Sequence, residues 1–197
     1  IRTLNINDDD INYQIRYTGR YISLVNEKDG GLLLYGSSVK RLDRKTGKCI
    51  RLHTSDGQET SGQYMHITSA YEGFWFHNSN SVYFLAYGND VLELKGRIAE
   101  GRLNCGHPDN KGNIWFATDK GLCRFSIADG SFSVISTDLF TSANSVVCDN
   151  KNRVWVGTDN GLYAYLNDSG SFTMFGESDG ASPNEFLSRP HLLSSAG

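Results

Sequence analysis

Apolar residues fall in short runs along this chain, and Gly, Asn, Asp and Ser separate them. Runs this short, broken by turn residues, predict strands joined as hairpins. The clearest stretch lies near the C-terminal end. Ser145-Val146-Val147-Cys148 reads as a first strand and Arg153-Val154-Trp155-Val156-Gly157 as a second, with the turn Asp149 to Asn152 between them. Thr158-Asp159-Asn160-Gly161 forms a middle turn, and Leu162-Tyr163-Ala164-Tyr165-Leu166 a third strand. Asn167-Asp168-Ser169-Gly170 turns into the fourth, Ser171-Phe172-Thr173-Met174-Phe175. The second strand is apolar on both faces, which fits a sheet covered on both sides.

The unit repeats. Trp75, Trp115 and Trp155, the only tryptophans, are spaced 40 residues apart. The run Asp109-Asn110-Lys111-Gly112-Asn113-Ile114-Trp115-Phe116-Ala117-Thr118-Asp119-Lys120-Gly121-Leu122 returns without a gap from Asp149 to Leu162. Where the first turn has Gly112, the later copy has Asn152. Asn is among the few residues besides Gly that tolerate positive φ, so the swap keeps one backbone conformation. Asp119 and Asp159 are expected to cap their own middle turns. Phe74-Trp75-Phe76-His77 and Val82-Tyr83-Phe84-Leu85 repeat the second and third strands. Earlier still, Gly31-Leu32-Leu33-Leu34-Tyr35-Gly36 stands for the second strand, with Leu34 in the tryptophan position and two residues missing from the turn that follows.

A period near 40 built of short strands predicts an all-β β-propeller, one four-stranded antiparallel blade per repeat. Blades are expected at 19–62, 63–101, 102–141 and 142–180, with 1–18 ending a preceding blade and 181–197 starting the next. The chain then reads as a partial ring excised from a longer protein of about six to eight blades per ring. Its two open blade faces would be apolar patches that favour self-association. The tryptophans, mid-strand between stacked blades, are expected in the core.

Composition narrows the function. The formal net charge is −3, and no Lys/Arg cluster forms the basic stripe that nucleic-acid binding needs. No apolar run approaches the ~20 residues of a membrane span, and no signal-peptide pattern is visible. Cys49, Cys105, Cys123 and Cys148 occupy different positions of the repeat with no Cys-x-x-Cys spacing; they read as free thiols, and pairings remain open. No metal, cofactor or catalytic set is indicated.

The run Asp-x-x-[Gly/Asn]-x-[Ile/Val]-Trp-[Phe/Val]-[Ala/Gly]-Thr-Asp-x-Gly-Leu resembles the two-component regulator propeller repeat. It matches closely at 109–136 and 149–176, and loosely at 31–52 and 74–85. Asp179-Gly180-Ala181-Ser182-Pro183-Asn184-Glu185-Phe186 is similar to the family's Asp-Gly-Leu-x-x-Asn-Glu-Phe segment, with Ala181 in the Leu position. The resemblance implies a periplasmic sensor region of a hybrid two-component histidine kinase, anchored in the inner membrane, that takes a soluble ligand derived from a polysaccharide. It implies no kinase chemistry in this piece.

Candidate ligand residues follow from the end of a propeller where blades connect. His66 and His107 lie on innermost strands near the expected axis. His77 ends a second strand, Tyr64 lies in an inter-blade connection, and Arg189 follows the Asn184-Glu185-Phe186 segment, of which Asn184 and Glu185 are further candidates. Aromatic faces with planar polar groups suit sugars. Two other functions compete: a propeller lyase or lactonase with a divalent metal in the channel, and a protein-interaction scaffold. The expected inner strands carry no carboxylate, which weighs against the metal enzyme.

Overall fold

The computed structural model describes residues 15–17, 20–27, 31–43, 45–60, 62–68, 72–135 and 137–180. The described chain is all-β, and its only helical piece is a single 3-10 turn, Glu177–Asp179. The first sheet runs in the order β1 (Ile15–Tyr17), β2 (Arg20–Asn26), β3 (Leu32–Tyr35), β4 (Val39–Leu42), β5 (Cys49–Arg51). The chain then contributes β6 (His53–Thr54) to the second sheet. That sheet also holds β7 (Met65–Thr68), β8 (Gly73–His77), β9 (Ser81–Ala86) and β10 (Val91–Arg97). The third comprises β11 (Leu103–Pro108), β12 (Asn113–Thr118), β13 (Gly121–Ser126) and β14 (Phe132–Ile135). The fourth comprises β15 (Ser145–Cys148), β16 (Arg153–Thr158), β17 (Gly161–Leu166) and β18 (Ser171–Phe175). Each is at heart a four-stranded antiparallel meander. β15 and β18 have the bounds the sequence predicts, and β16 and β17 each reach one residue further into the middle turn.

The sheets stack as blades, and strand alternation does the stacking. In β12, Trp115 and Ala117 join a core cluster with Val146, Val154 and Tyr165 of the fourth blade. Ile114 and Phe116, pointing the other way, join Trp75 and Val82 of the second. Leu33 and Val39 of the first blade cluster with Phe74, Phe76 and Leu85 of the second. Every second strand between two neighbours is thus apolar on both faces. Innermost strands adjoin: β11 packs against both β7 and β15.

A carboxylate explains why the repeat begins with Asp. Asp109 Oδ1 accepts the backbone N–H groups of Lys111 (2.8 Å) and Asn113 (2.9 Å), and Oδ2 accepts the indole N–H of Trp115 at 3.0 Å. Asp149 does the same for Lys151, Arg153 and Trp155, with the indole at 2.9 Å. One side chain closes the turn and orients the tryptophan six residues on. Burial pushes both carboxyls up, but the hydrogen bonds outweigh it and hold them below the ordinary Asp value. The turn also needs one left-handed residue, which is Gly112 (φ 83), Asn152 (φ 63) and, in the second blade, Glu72 (φ 63). That blade has Ser69 where the third and fourth have Asp, and the buried Nε1 of Trp75 has no hydrogen-bond partner among the described residues.

The first blade corrects two expectations. Glu27 N–H donates to Gly31 O at 2.9 Å, as Asp109 N–H does to Asn113 O, so Glu27 stands in the Asp position. Six residues on lies Leu33, fully buried and paired with Val25 as Trp115 is with His107. Leu33, not Leu34, therefore occupies the tryptophan position. The middle turn is one residue short rather than two, because Tyr35 pairs with Val39 across three residues where Ala117 pairs with Leu122 across four. Lacking an indole, the carboxylate binds Arg41 instead, with Nε at 2.7 Å and Nη2 at 2.8 Å. Arg41 also reaches the Asp90 carboxylate and the Asn89 carbonyl (2.7 Å) of the second blade.

The linker after β5 ties the first two blades further. β6 runs parallel to β10, with His53 opposite Val91 and Thr54 opposite Leu92. The buried Thr60 hydroxyl accepts Val39 N–H and donates to Val39 O, replacing a strand partner. Ile15–Tyr17, within the segment expected to end a preceding blade, pairs antiparallel with Arg20–Ile22 of β2.

Candidate functional site

Antiparallel meanders bring the middle turns and the inter-blade connections to the same end of the stack, and hydrogen bonds knit the two together. Leu103 N–H donates to Ser79 O (2.7 Å) and Ile98 N–H to Asn80 O (2.9 Å). Ala143 N–H donates to Thr118 O at 2.8 Å. Asp119 and Asp159 belong to this network, contrary to the expectation that they cap their own turns. Asp119 Oδ1 accepts Arg102 N–H at 2.7 Å, and Asp159 Oδ1 accepts from the Asn144 amide at 2.6 Å. The caps are the preceding threonines: the Thr118 and Thr158 hydroxyls accept from Lys120 and Asn160 N–H and donate to Gly121 and Gly161 O. The aspartates are left facing the incoming connection.

A half-open cleft of about 180 Å³ lies at this end, where the second and third blades meet. Gly62, Gln63, Met65, Asn78, Ser79, Arg102 and Leu103 line it. The Asn78 amide is committed to its turn, accepting Asn80 and Ser81 N–H and donating to the Tyr83 hydroxyl. Gln63, Ser79 and Arg102 are exposed, and among the described residues no hydrogen bond or ion pair occupies their side chains. Met65 and Leu103 supply apolar wall. The cleft thus offers one cation, one amide and one hydroxyl above an apolar surface.

The residues singled out from sequence are not gathered in one place. Tyr64 sits between two cleft residues in the chain, but its own ring is 4 % exposed and packs 5.5 Å from Tyr83. Burial, then Tyr83, push its phenol well above the usual range. His77, next to Asn78, is 1 % exposed; its Nδ1 lies 2.9 Å from Asn78 O and its ring stands edge-on to Phe116. His66 is half-buried against Tyr35, Phe74 and Phe76, with ring centroids 5.5 to 6.2 Å away, and burial lowers its pKa to about 4. It is neutral at physiological pH. His107 Nδ1 lies 3.1 Å from Cys148 N and 2.9 Å from Pro108 O, and the first contact ties β11 to β15. These side chains serve three different blade junctions. Asn184, Glu185 and Arg189 lie outside the described residues. Gln63 and Arg102 were not among the sequence candidates; the signal was their place in inter-blade connections.

Cys49 is exposed and Cys105, Cys123 and Cys148 are buried, and none of the four is in a disulfide. Burial raises the Cys123 thiol to about 11 and Cys148 further, so neither is a nucleophile. Among the described residues no group of three His, Cys, Asp or Glu side chains could hold a metal ion, and no helix is long and apolar enough to cross a membrane.

No family model matches the chain, and no curated protein matches it in sequence. Solved structures do. The extracellular domain of a one-component system from B. thetaiotaomicron superposes with a TM-score of 0.61 at 17% identity, over 79% of this chain and 24% of that one. That of a hybrid two-component system from the same organism gives 0.55 at 18% identity, over 86% and 23%. Virginiamycin B lyase from Staphylococcus aureus gives 0.61 at 13% identity, over 83% and 58%. With its radial stack of meanders, the chain is a partial β-propeller. It spans about a quarter of the two extracellular domains it resembles.

Proposed function

We propose that this chain is part of the ligand-sensing propeller of a hybrid two-component sensor histidine kinase, held outside the inner membrane in the periplasm, and that it recognises a soluble oligosaccharide derived from a glycan. One observation carries the reading. The residues that mark the two-component propeller repeat are the ones that build the third and fourth blades, from the Asp–Trp clamp to the Thr–Gly middle turn. Likeness to extracellular sensor domains supports it. The cleft between the second and third blades suits a sugar, whose hydroxyls need planar polar partners and whose C–H faces need apolar wall. Gln63, Ser79 and Arg102 supply the first, Met65 and Leu103 the second.

The enzyme reading has one observation behind it, the equal likeness to a lyase. It requires acid and base groups that converge on one site, and His66, His77 and His107 stand apart at three separate junctions.

Isothermal titration calorimetry of the chain against a panel of plant and host oligosaccharides tests the proposal. At least one should bind, and Arg102→Ala should weaken it about tenfold or more, the loss expected for a charged hydrogen bond. No binding across the panel, or binding that Arg102→Ala leaves unchanged, would overturn it.

A further inference from the structure

The outer strands carry an apolar mark at a fixed register. Leu94 in β10 pairs with Tyr83, Val134 in β14 with Cys123, and Met174 in β18 with Tyr163. These three are equivalent positions one blade apart, 37, 60 and 55 % exposed. Outer strands also present unpaired backbone groups, and proteins usually protect such edges with charge or proline or by covering them. β10 carries Glu93, Lys95 and Arg97, and β6 covers its start; β5 carries Arg51. β14 and β18 contain no charged residue and no proline, and among the described residues no strand pairs with their outer edges.

We propose that β18 pairs antiparallel with β18 of a second copy of this chain, joining two blades into one continuous sheet. Three observations select that occupant. The chain already seats a strand on an outer edge, β6 on β10, so the geometry of a blade rim admits one. β18 is uncharged along its whole length, so no like charges oppose one another within the paired strands. Its sequence is also self-complementary about Thr173. A two-fold axis there sets threonine against threonine, and it sets Phe172 of each copy against Met174 of the other, a favourable sulfur–aromatic pair. Two-fold pairing is the commonest way for one surface to satisfy itself. The edge is short, so the dimer is weak and forms at high concentration.

Register-specific crosslinking tests the pairing in the full chain with Cys49→Ser removing the exposed thiol. Thr173→Cys should oxidise to a covalent dimer, because directly opposed residues lie about 5 Å apart, within disulfide reach. Ser171→Cys should not, its two copies being about 14 Å apart. In sedimentation velocity the unsubstituted chain should dimerise with rising concentration, and Met174→Lys should weaken the dimer at least tenfold. Three outcomes would overturn the proposal: a monomer at every concentration, equal crosslinking of the two cysteine variants, or a dimer indifferent to Met174→Lys. The last would assign association to the open blade faces instead.

Discussion

Arg41→Leu is expected to destabilise the chain by about 3–5 kcal/mol, the cost of leaving a buried charge without its partner. The charge is Glu27, whose side chain is 2 % exposed and held bidentately by Arg41. For a chain of this size such a loss lowers the melting temperature by about 10 °C. The double variant Arg41→Leu with Glu27→Leu should recover most of it, because removing both charges also removes their desolvation cost. The third member of the network behaves differently. Asp90 is 58 % exposed, so Asp90→Ala should cost under ~1 kcal/mol. Thermal melts of the three variants check this. A single variant that melts like the parent chain would show that Glu27 is not buried against Arg41.

Trp115→Ala is expected to cost a similar ~3–5 kcal/mol, measured by chemical denaturation. Trp115 is fully buried, lies 5.5 Å from the Tyr165 ring of the next blade, and donates its indole N–H to Asp109. The substitution opens a cavity between two blades and deprives a carboxylate of one donor. Trp155→Ala should cost less. Its indole has the same Asp149 bond, but the ring is only half-buried, packed on Phe175 of its own blade and beneath Arg153. Equal costs for the two would contradict the stacking order, in which Trp75 and Trp115 are covered by the blade that follows and Trp155 packs on its own.

The 40-residue spacing of indoles made the fold legible, and the swap of Gly112 for Asn152 made the turn legible, because both report a backbone demand rather than a composition. The first blade was harder. In Leu32-Leu33-Leu34 every frame is apolar, and a sheet covered on both faces removes the alternation that would expose a one-residue slip. The residue that fixes the frame is Glu27, a carboxylate whose partner is an arginine from the third strand rather than an indole six positions on. The candidate site was less legible still. His66 and His77 read alike in sequence as polar groups near an opening. Their environments come from other blades, Tyr35 for the first and Phe116 for the second, and nothing local announces those contacts. Arg102 stands in an unremarkable connection, and only the meeting of two blades gives it a cleft.

The shared Asp–Trp clamp is open to one direct measurement, the indole N–H resonances of the three tryptophans followed by NMR as the pH is lowered. Hydrogen bonds hold the Asp109 and Asp149 carboxyls below the ordinary value of 3.8, so the stability they lend is present above that value and is lost as the pH falls through their folded pKa. The Trp115 and Trp155 signals should shift together with a midpoint below 3.8, while Trp75, which has no such carboxylate, stays in place. Three indoles that titrate alike, or two with a midpoint at or above the ordinary value, would contradict it.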